Sequence, residues 1–356
     1  MRHLAADPTD IDDAAVLGYE LPATAVAQIP VEPRDAARLL VDRGPRRAPE
    51  HRRVADLAEL LEPGDLLVVN DTRVRRARLR LRKPTGGAVE VLLLDREVGA
   101  PVGVHQALVR PSRHVAPGTT LSGGDGFAVV VGDDLGGGRR RVVVHGDPDA
   151  VGEVPLPPYV RAALADSDRY QTVYARRAAS AAAPTAGLHL TAALLQACRD
   201  RRIGVVALEL VVGLDTFRPI TATRLEDHTM HREAYDVPPA TWSAVAATRA
   251  RGGRVVAVGT TVVRALESVA VTGALSGRTA LFIRRGHRFT TVDRLLTNFH
   301  VPRTTLLCLV DAMVGDRWRA LYARALTDGY RFLSFGDAML IDVDPVLATP
   351  RVDGCR

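Results

Sequence analysis

Between Gly64 and Glu153 the chain reads as one short apolar or alternating run after another, and that pattern constrains the fold more than any other feature. In DLLVVN, ARLRLR, AVEVLLL, HQALVR, FAVVV and RRVVVH the residues fall in strand-length runs, several with the two-residue period that puts alternate side chains on opposite faces. Glycine-rich PTGG and GDDLGGG supply the turns between them. A helix would need apolar residues three and four apart, so this stretch predicts a small all-β unit, a barrel.

The flanks have a different texture. Up to about Leu61 the pattern is helical, with VADLAELL closing on Pro63-Gly64. After PLPPYV strands and helices alternate: TAALLQACRDRR, ATWSAVAATRARG and TVVRALESVAV read as helices, IGVVALELVV, RVVAVG and ALFIR as strands. Alternation of this kind implies α/β layering with a mixed or parallel sheet. The expected fold class is therefore mixed α/β, with a discontinuous main domain of residues 1–62 and 154–356 and an inserted β-barrel-like domain of residues 63–153.

A chain of 356 residues, 47% of them hydrophobic, can bury a sizeable core. No stretch approaches the ~18 continuous apolar residues that span a bilayer. The start, MRHLAADPTDIDDAAV, has acids where a signal peptide has its apolar core, so a cytoplasmic protein is expected. Cys198, Cys308 and Cys355 lack metal-ligand spacing and read as buried small hydrophobes. The net charge of +6 suits a polyanionic partner, although Lys83 is the only lysine among 47 basic residues, a bias that also fits codon usage. In RRARLRLRK, Arg76, Arg78, Arg80 and Arg82 alternate with Ala77, Leu79 and Leu81, which makes a basic stripe; it is either an ordinary solvated strand face or a phosphate-contacting one.

Polar clusters interrupt the regular elements. In RVVAVGTTVVRALES a strand ends at Gly259 and Thr260-Thr261 opens a helix, where free N–H groups and hydroxyls suit an anion; helix capping is the alternative. In EDHTMHRE the spacing of His228, His231 and Glu233 does not bring all three to one helix face, so hydrogen bonding to a substrate or within the fold is favoured over a metal. Pro184 and Gly187 in APTAGLHLT place His189 on a loop before a helix that Thr191 caps. TNFHVPRTTLLCLV has the same construction: Asn298, Phe299 and His300 lie before a helix capped by Thr304 or Thr305. Loops feeding helix N-termini are where α/β enzymes keep their sites, while a lone loop histidine is more often structural.

GYELP, AQIP, RLLV, PGDLLVVNDTR, RYQTVYA, AAPTAGLHLT, VGLDTFRP, HTMHRE, AVGTTVVRALES, TNFHVPRTTL and YRFLSFGDAMLI follow one another from about Tyr19 to Ile341. In order and spacing they resemble the S-adenosylmethionine:tRNA ribosyltransferase-isomerase family of queuosine biosynthesis. The resemblance implies an α/β domain interrupted by a β-barrel, and transfer with isomerisation of the ribosyl part of S-adenosylmethionine onto the 7-aminomethyl-7-deazaguanine of a tRNA anticodon. Epoxyqueuosine, adenine and methionine are then the products, with no metal and no membrane, from a monomer. His189 and His300 are the implied proton-transfer groups. Thr260, Thr261, Arg264, Asn298, Phe299 and Asp337 are implied at the S-adenosylmethionine site, with Phe299 packing on adenine or forming an apolar wall. Arg73, Asp215, His228, His231, Glu233, Asp293 and Arg303 are implied toward the RNA substrate, the carboxylates toward the donor edge of the guanine-like base and the arginines toward a carboxylate or phosphate.

The chain departs from the family pattern at several points. Val211-Val212 stand where a histidine usually precedes the glycine of VGLDTF, and Asp215 where a glycine is usual. Arg285-Gly286-His287 replace Pro-Gly-Tyr, Arg75-Arg76 end the NDTRV run, and an aromatic is missing near Gln106. These departures admit a relative that transfers the same sugar to a small-molecule amine or deazapurine. An inactive RNA-binding protein on the same scaffold, or a metallohydrolase using His228 and His231, are further readings.

Overall fold

The structure is a computed structural model and describes residues 12–94, 101–124, 126–213, 218–345 and 347. It divides into two compact units: Met1–Arg73, Pro157–Arg177 and Ala183–Arg356 form one, Val74–Leu156 and Ala178–Ala182 the other. Among the described residues no helix is long and apolar enough to cross a membrane.

The first unit is built on a nine-stranded mixed sheet. Its strands run in the order Ser276–Thr279, Glu233–Asp236, Gly204–Leu210, Leu66–Asn70, Val255–Val258, Arg294–Asn298, Ala338–Asp342, Arg38–Asp42 and Glu50–Arg53. The four from Gly204–Leu210 to Arg294–Asn298 are mutually parallel. Leu66–Asn70, Val255–Val258 and Arg294–Asn298 are buried along their whole length. Continuous runs such as LLVV and VVAV suit strands covered on both faces, as parallel strands are. Helices Ala192–Asp200, Pro239–Ala250 and Thr260–Thr272 pack against the sheet. Because the central strands point the same way, the residues that follow Asn70, Leu210, Val258 and Asn298 collect along one sheet edge, where open α/β sheets bind ligands.

The second unit contains a closed six-stranded antiparallel barrel, in the order Arg139–His145, Val104–Arg110, Ala88–Leu93, Arg78–Arg82, Thr120–Gly124, Phe127–Gly136. Leu79, Leu81, Val89, Val91, Leu121, Val129 and Val142 fill its interior, the alternate residues of the runs read in the sequence. On the other face the arginine stripe is largely engaged: Arg78 pairs with Glu90 and Arg80 with Glu153, while Arg76 and Arg82 donate to the carbonyls of Gly152 and Gly86.

Three expectations are corrected. Strand Leu66–Asn70, assigned to the insertion from residue 63, lies at the centre of the large sheet between Gly204–Leu210 and Val255–Val258. The opening segment is not all helical, since Arg38–Asp42 pairs in parallel with Ala338–Asp342 and antiparallel with Glu50–Arg53; a short apolar run such as RLLVD has no period that separates a buried strand from a helix. ALFIR is not a strand either: the strand is Ser276–Thr279, and Leu281, Phe282 and Ile283 leave the sheet to wall a recess.

Candidate active site

Three recesses in the first unit adjoin one another at the ends of the parallel strands. Leu306 lines the first and second, and Ser334 the second and third. The second is formed around Asn298, the last residue of its strand, with Tyr159, Thr185, His300 and Thr304. The Asn298 amide is oriented unambiguously by its partners. Its Nδ2 donates to the Leu333 carbonyl at 3.2 Å, while Oδ1 accepts from the Thr185 hydroxyl at 3.1 Å. The same Nδ2 lies 3.0 Å from His189 Nε2, which must therefore accept, leaving the proton of the neutral ring on Nδ1. Burial, reinforced by Arg331, Arg169 and Arg34, pushes the His189 pKa down to about 4.

His300 is also a buried neutral imidazole. Burial lowers its pKa to about 3, and Nε2 sits 2.9 Å from the Thr297 hydroxyl. Its backbone is clamped on both sides: the N–H donates to Tyr322 Oη at 3.0 Å, and the carbonyl accepts from Tyr19 Oη at 2.5 Å. Thr304 Oγ1 accepts from Leu307 N–H, so the helix Thr305–Val314 is capped by Thr304. Arg303 and Leu333, next to this loop, hold φ of 57° and 68°, a left-handed backbone that is costly for residues other than glycine and is found where a site needs a fixed shape.

The first recess collects the other motif residues. Thr260, Thr261 and Arg264, on the opening turns of Thr260–Thr272, face Met230, Phe282 and Leu306. The cap of this helix is Gly259, with φ 91° and no side chain to offer, so Thr260 and Thr261 do not cap it. Asn70 ties the strand ends to the helix, donating to the Leu210 carbonyl at 2.9 Å and to Thr261 Oγ1 at 3.2 Å. Arg264 is buried and ion-paired with buried Glu233. His231 Nε2 lies 3.2 Å from the same carboxylate, and the Gly213 N–H donates to it at 3.0 Å. Burial alone would raise the Glu233 carboxyl, but the His231 contact and the Arg264 charge outweigh it and hold it below the usual range. His228 stacks edge-on with Phe282 at 5.3 Å, and burial lowers its pKa.

Of the other residues singled out in the sequence, Phe299 lines the second recess, and Asp293, Asp337, Arg73 and Arg303 line none of the three. Asp293 precedes the strand that Asn298 ends, which puts it about 16 Å away at the opposite sheet edge. There it accepts from Val255 N–H and pairs with Arg249. Both Asp337 oxygens accept backbone N–H groups, from Arg38 at 2.9 Å and Arg331 at 2.8 Å, so this carboxylate fastens two chain segments. Arg73 is exposed and pairs with Asp168 at 3.3 Å. The Phe299 ring is fully buried, stacked on Phe332 at 4.5 Å and edge-on to Tyr322 and Tyr330; it is apolar wall, with no face open to an adenine. The Arg303 side chain is exposed beside the capped helix start. Asp215 lies outside the described residues. The sequence reading missed Asn70, Thr185, Ser334 and Tyr159; Asn70 and Thr185 stand inside the NDTR and APTAGLHL segments, where a neutral amide and a hydroxyl carry less chemical signal than the neighbouring arginine and histidine.

Parallel strands ending in a buried amide, two neutral imidazoles, a buried carboxylate–guanidinium pair and a helix start without a side-chain cap define an α/β protein with a polar ligand-binding edge. The chain belongs to the queuosine biosynthesis protein family, whose model matches residues 15–341. It is 50% identical over 337 residues to an S-adenosylmethionine:tRNA ribosyltransferase-isomerase of Moorella thermoacetica, covering 91% of this chain and 98% of that one. A protein of the same name from Rubrobacter xylanophilus is 47% identical over 91% of this chain and 96% of its own. The crystal structure of an S-adenosylmethionine tRNA ribosyltransferase from Thermotoga maritima is similar with a TM-score of 0.54 at 36% identity, covering 94% of this chain and 100% of that chain.

Proposed function

We propose that this protein transfers and isomerises the ribosyl moiety of S-adenosylmethionine onto the 7-aminomethyl-7-deazaguanine of a tRNA anticodon, releasing adenine and methionine, and that it works in the cytoplasm as a monomer without a metal. The observation that carries this reading is the meeting of APTAGLHLT, HTMHRE, AVGTTVVRALES and TNFHVPRTTL, far apart in sequence, along one sheet edge of a chain about half identical to proteins of that name. In this reading the discontinuous α/β unit is the catalytic domain and the barrel is an insertion in it.

The positive sulfonium acidifies the hydrogens on the adjacent ribosyl carbon. His300, neutral at working pH, takes one of them as a proton, and adenine leaves as the sugar opens to an aldehyde and an unsaturated sulfonium; the acceptor amine adds to that sulfonium, the carbanion left beside sulfur closes onto the aldehyde carbon, and the resulting alkoxide displaces methionine to form the epoxide. His189 contributes its Nδ1–H as a donor, since Asn298 occupies its other nitrogen. The buried walls, Phe299 among them, exclude water from the opened sugar. Thr260 and Thr261 hold the donor at the helix start, and the Glu233 carboxylate, fixed by Arg264 with His231 and His228 beside it, accepts from the donor edge of the deazaguanine. Arg303 faces an RNA phosphate.

The test is incubation with S-adenosylmethionine and tRNA carrying the aminomethyl-deazaguanine, then mass spectrometry of digested nucleosides. Epoxyqueuosine and an equal amount of adenine are expected, with or without exhaustive chelation. Adenine release without modified tRNA would refute the acceptor, and neither product would refute the reaction.

A further inference from the structure

The third recess, bounded by Pro30, Arg34, Arg169, His189, Ser334 and Phe335, has a charge distribution that the reading above does not use. The segment Ile29-Pro30-Val31 holds two guanidinium groups by its carbonyls: Arg331 Nη1 donates to Ile29 at 3.2 Å and Arg169 Nη2 to Val31 at 2.9 Å. In each the other terminal nitrogen, Arg331 Nη2 and Arg169 Nη1, is buried and has no hydrogen-bond acceptor among the described residues. Arg34 stands beside them, spent on the carbonyls of Gln171, Leu188 and Asp168. One carboxylate, Glu32, pairs with Arg169, and it is mostly exposed. The charges that bear on the His189 ring are Arg331, Arg169 and Arg34, all cationic. Buried donors left without an acceptor are rare and costly, and a planar oxyanion matches the guanidinium fork.

We propose that this recess is an oxyanion subsite that takes the α-carboxylate of the aminoacyl tail of S-adenosylmethionine, with Arg169 as the principal donor and Arg331 as the second; this rests on the ribosyl-donor reading above. The recess adjoins the Asn298 recess through Ser334, which lines both, and through the hydrogen bond between His189 and Asn298. A ligand anchored here by its carboxylate reaches the Asn298–His300 loop with its sulfonium. A backbone phosphate of RNA has the same chemistry, and the experiment separates the two sources.

Isothermal titration calorimetry of the full chain, in phosphate-free buffer, compares S-adenosylmethionine with its decarboxylated analogue. Charge-assisted hydrogen bonds of this kind predict that the carboxylate tightens binding by about ten- to a hundredfold. Arg169→Gln is expected to abolish that preference while the affinity for the decarboxylated analogue stays within about twofold, which shows that the variant is folded. If Arg169→Gln melts before it can be titrated, Arg331→Gln is read in the same way. Equal affinities in the wild type, or a full preference kept by both variants, overturns the subsite and leaves the reaction standing. Binding of neither molecule by the wild type overturns the donor reading itself. Loss of tRNA affinity in Arg169→Gln with the preference intact assigns the oxyanion to an RNA phosphate and overturns the carboxylate proposal.

Discussion

Two imidazoles buried as neutral rings make folding sensitive to acid in a way that can be calculated and measured. His189 and His300 have folded-state pKa values of about 4 and about 3, both below the ordinary 6.5, and burial is the first cause in each. Between the folded and unfolded values the unfolded chain binds more protons, so stability is unaffected above about pH 6.5 and falls as the pH drops below it. At about pH 5 the unfolded state gains about 1.4 kcal/mol for each unit below 6.5, or about 2 kcal/mol per histidine and about 4 kcal/mol for the pair. Carboxylates held below their usual range, such as Glu233 and Glu267, also lose stability in acid, but they do so equally in a variant that keeps them. The measurement is therefore a difference: urea unfolding of wild type and His300→Asn at about pH 8 and about pH 5, with the wild type losing about 2 kcal/mol more than the variant. Trp318 is a suitable reporter, being fully buried 5.4 Å from the Tyr322 ring whose hydroxyl accepts the His300 N–H. Parallel losses in the two proteins would show that burial does not depress the His300 pKa, and the description of the ring as a buried imidazole kept neutral by the fold would fall with that result.

Asp293→Asn is expected to leave turnover within about twofold of wild type and to cost about 1 kcal/mol of stability, because the residue fastens the far sheet edge; a selective loss of activity in steady-state assays would contradict that placement. Glu233→Ala strands the buried Arg264 guanidinium, so thermal or urea melts should lose about 3–5 kcal/mol along with activity. Phe299→Ala should destabilise by about 3–5 kcal/mol in the same melts while S-adenosylmethionine affinity of the folded fraction changes little, since Phe299 lines the recess only as buried apolar wall and its ring packs on Phe332, Tyr322 and Tyr330.

What could be read from the chain depended on whether a residue's role has a local signature. The barrel strands carry one, because a face that is buried beside a face that is solvated leaves a two-residue period, and the runs around Leu79, Val91 and Val142 show it. Strands buried on both faces leave none: RLLVD reads like its helical surroundings, and LLVVN reads as a strand but as one of the barrel's, because sheet partners far away in the sequence leave no trace in the segment itself. The helix starts at Thr191 and Thr304 were legible from a hydroxyl before an apolar run. The location of His300 on a loop before a helix was legible too, whereas Asn298 closes its strand and His189 closes a short 3-10 turn from Thr185, and the protonation of neither ring was legible, since it follows from burial and from the long-range contact between Asn298 and His189. Asp293 and Asp337 looked like candidates only because a sequence does not say at which end of a sheet a carboxylate lies, or that both its oxygens are taken by backbone N–H groups.

The departures from the family pattern acquire a different meaning once their partners are known. Arg285, where proline is usual, forms two 2.8 Å contacts with Asp311 and one of 2.5 Å with Asp316. Asp311 is buried in the otherwise apolar helix Thr305–Val314 and also accepts from Trp318 Nε1 at 2.8 Å, so the guanidinium offsets a charge that could not stand alone there. His287, where tyrosine is usual, lies 3.5 Å from Glu267, a fully buried carboxylate that also accepts the N–H groups of Thr291 and Val292 and the Thr291 hydroxyl. Both replacements are answered by acids inside the fold rather than by anything a substrate would bring, and neither residue lines the three recesses. A changed acceptor requires replacements that face a ligand. With Arg285 and His287 committed to Asp311 and Glu267, those two positions cease to argue for a small-molecule amine, and the retained motifs along the sheet edge weigh toward the tRNA acceptor.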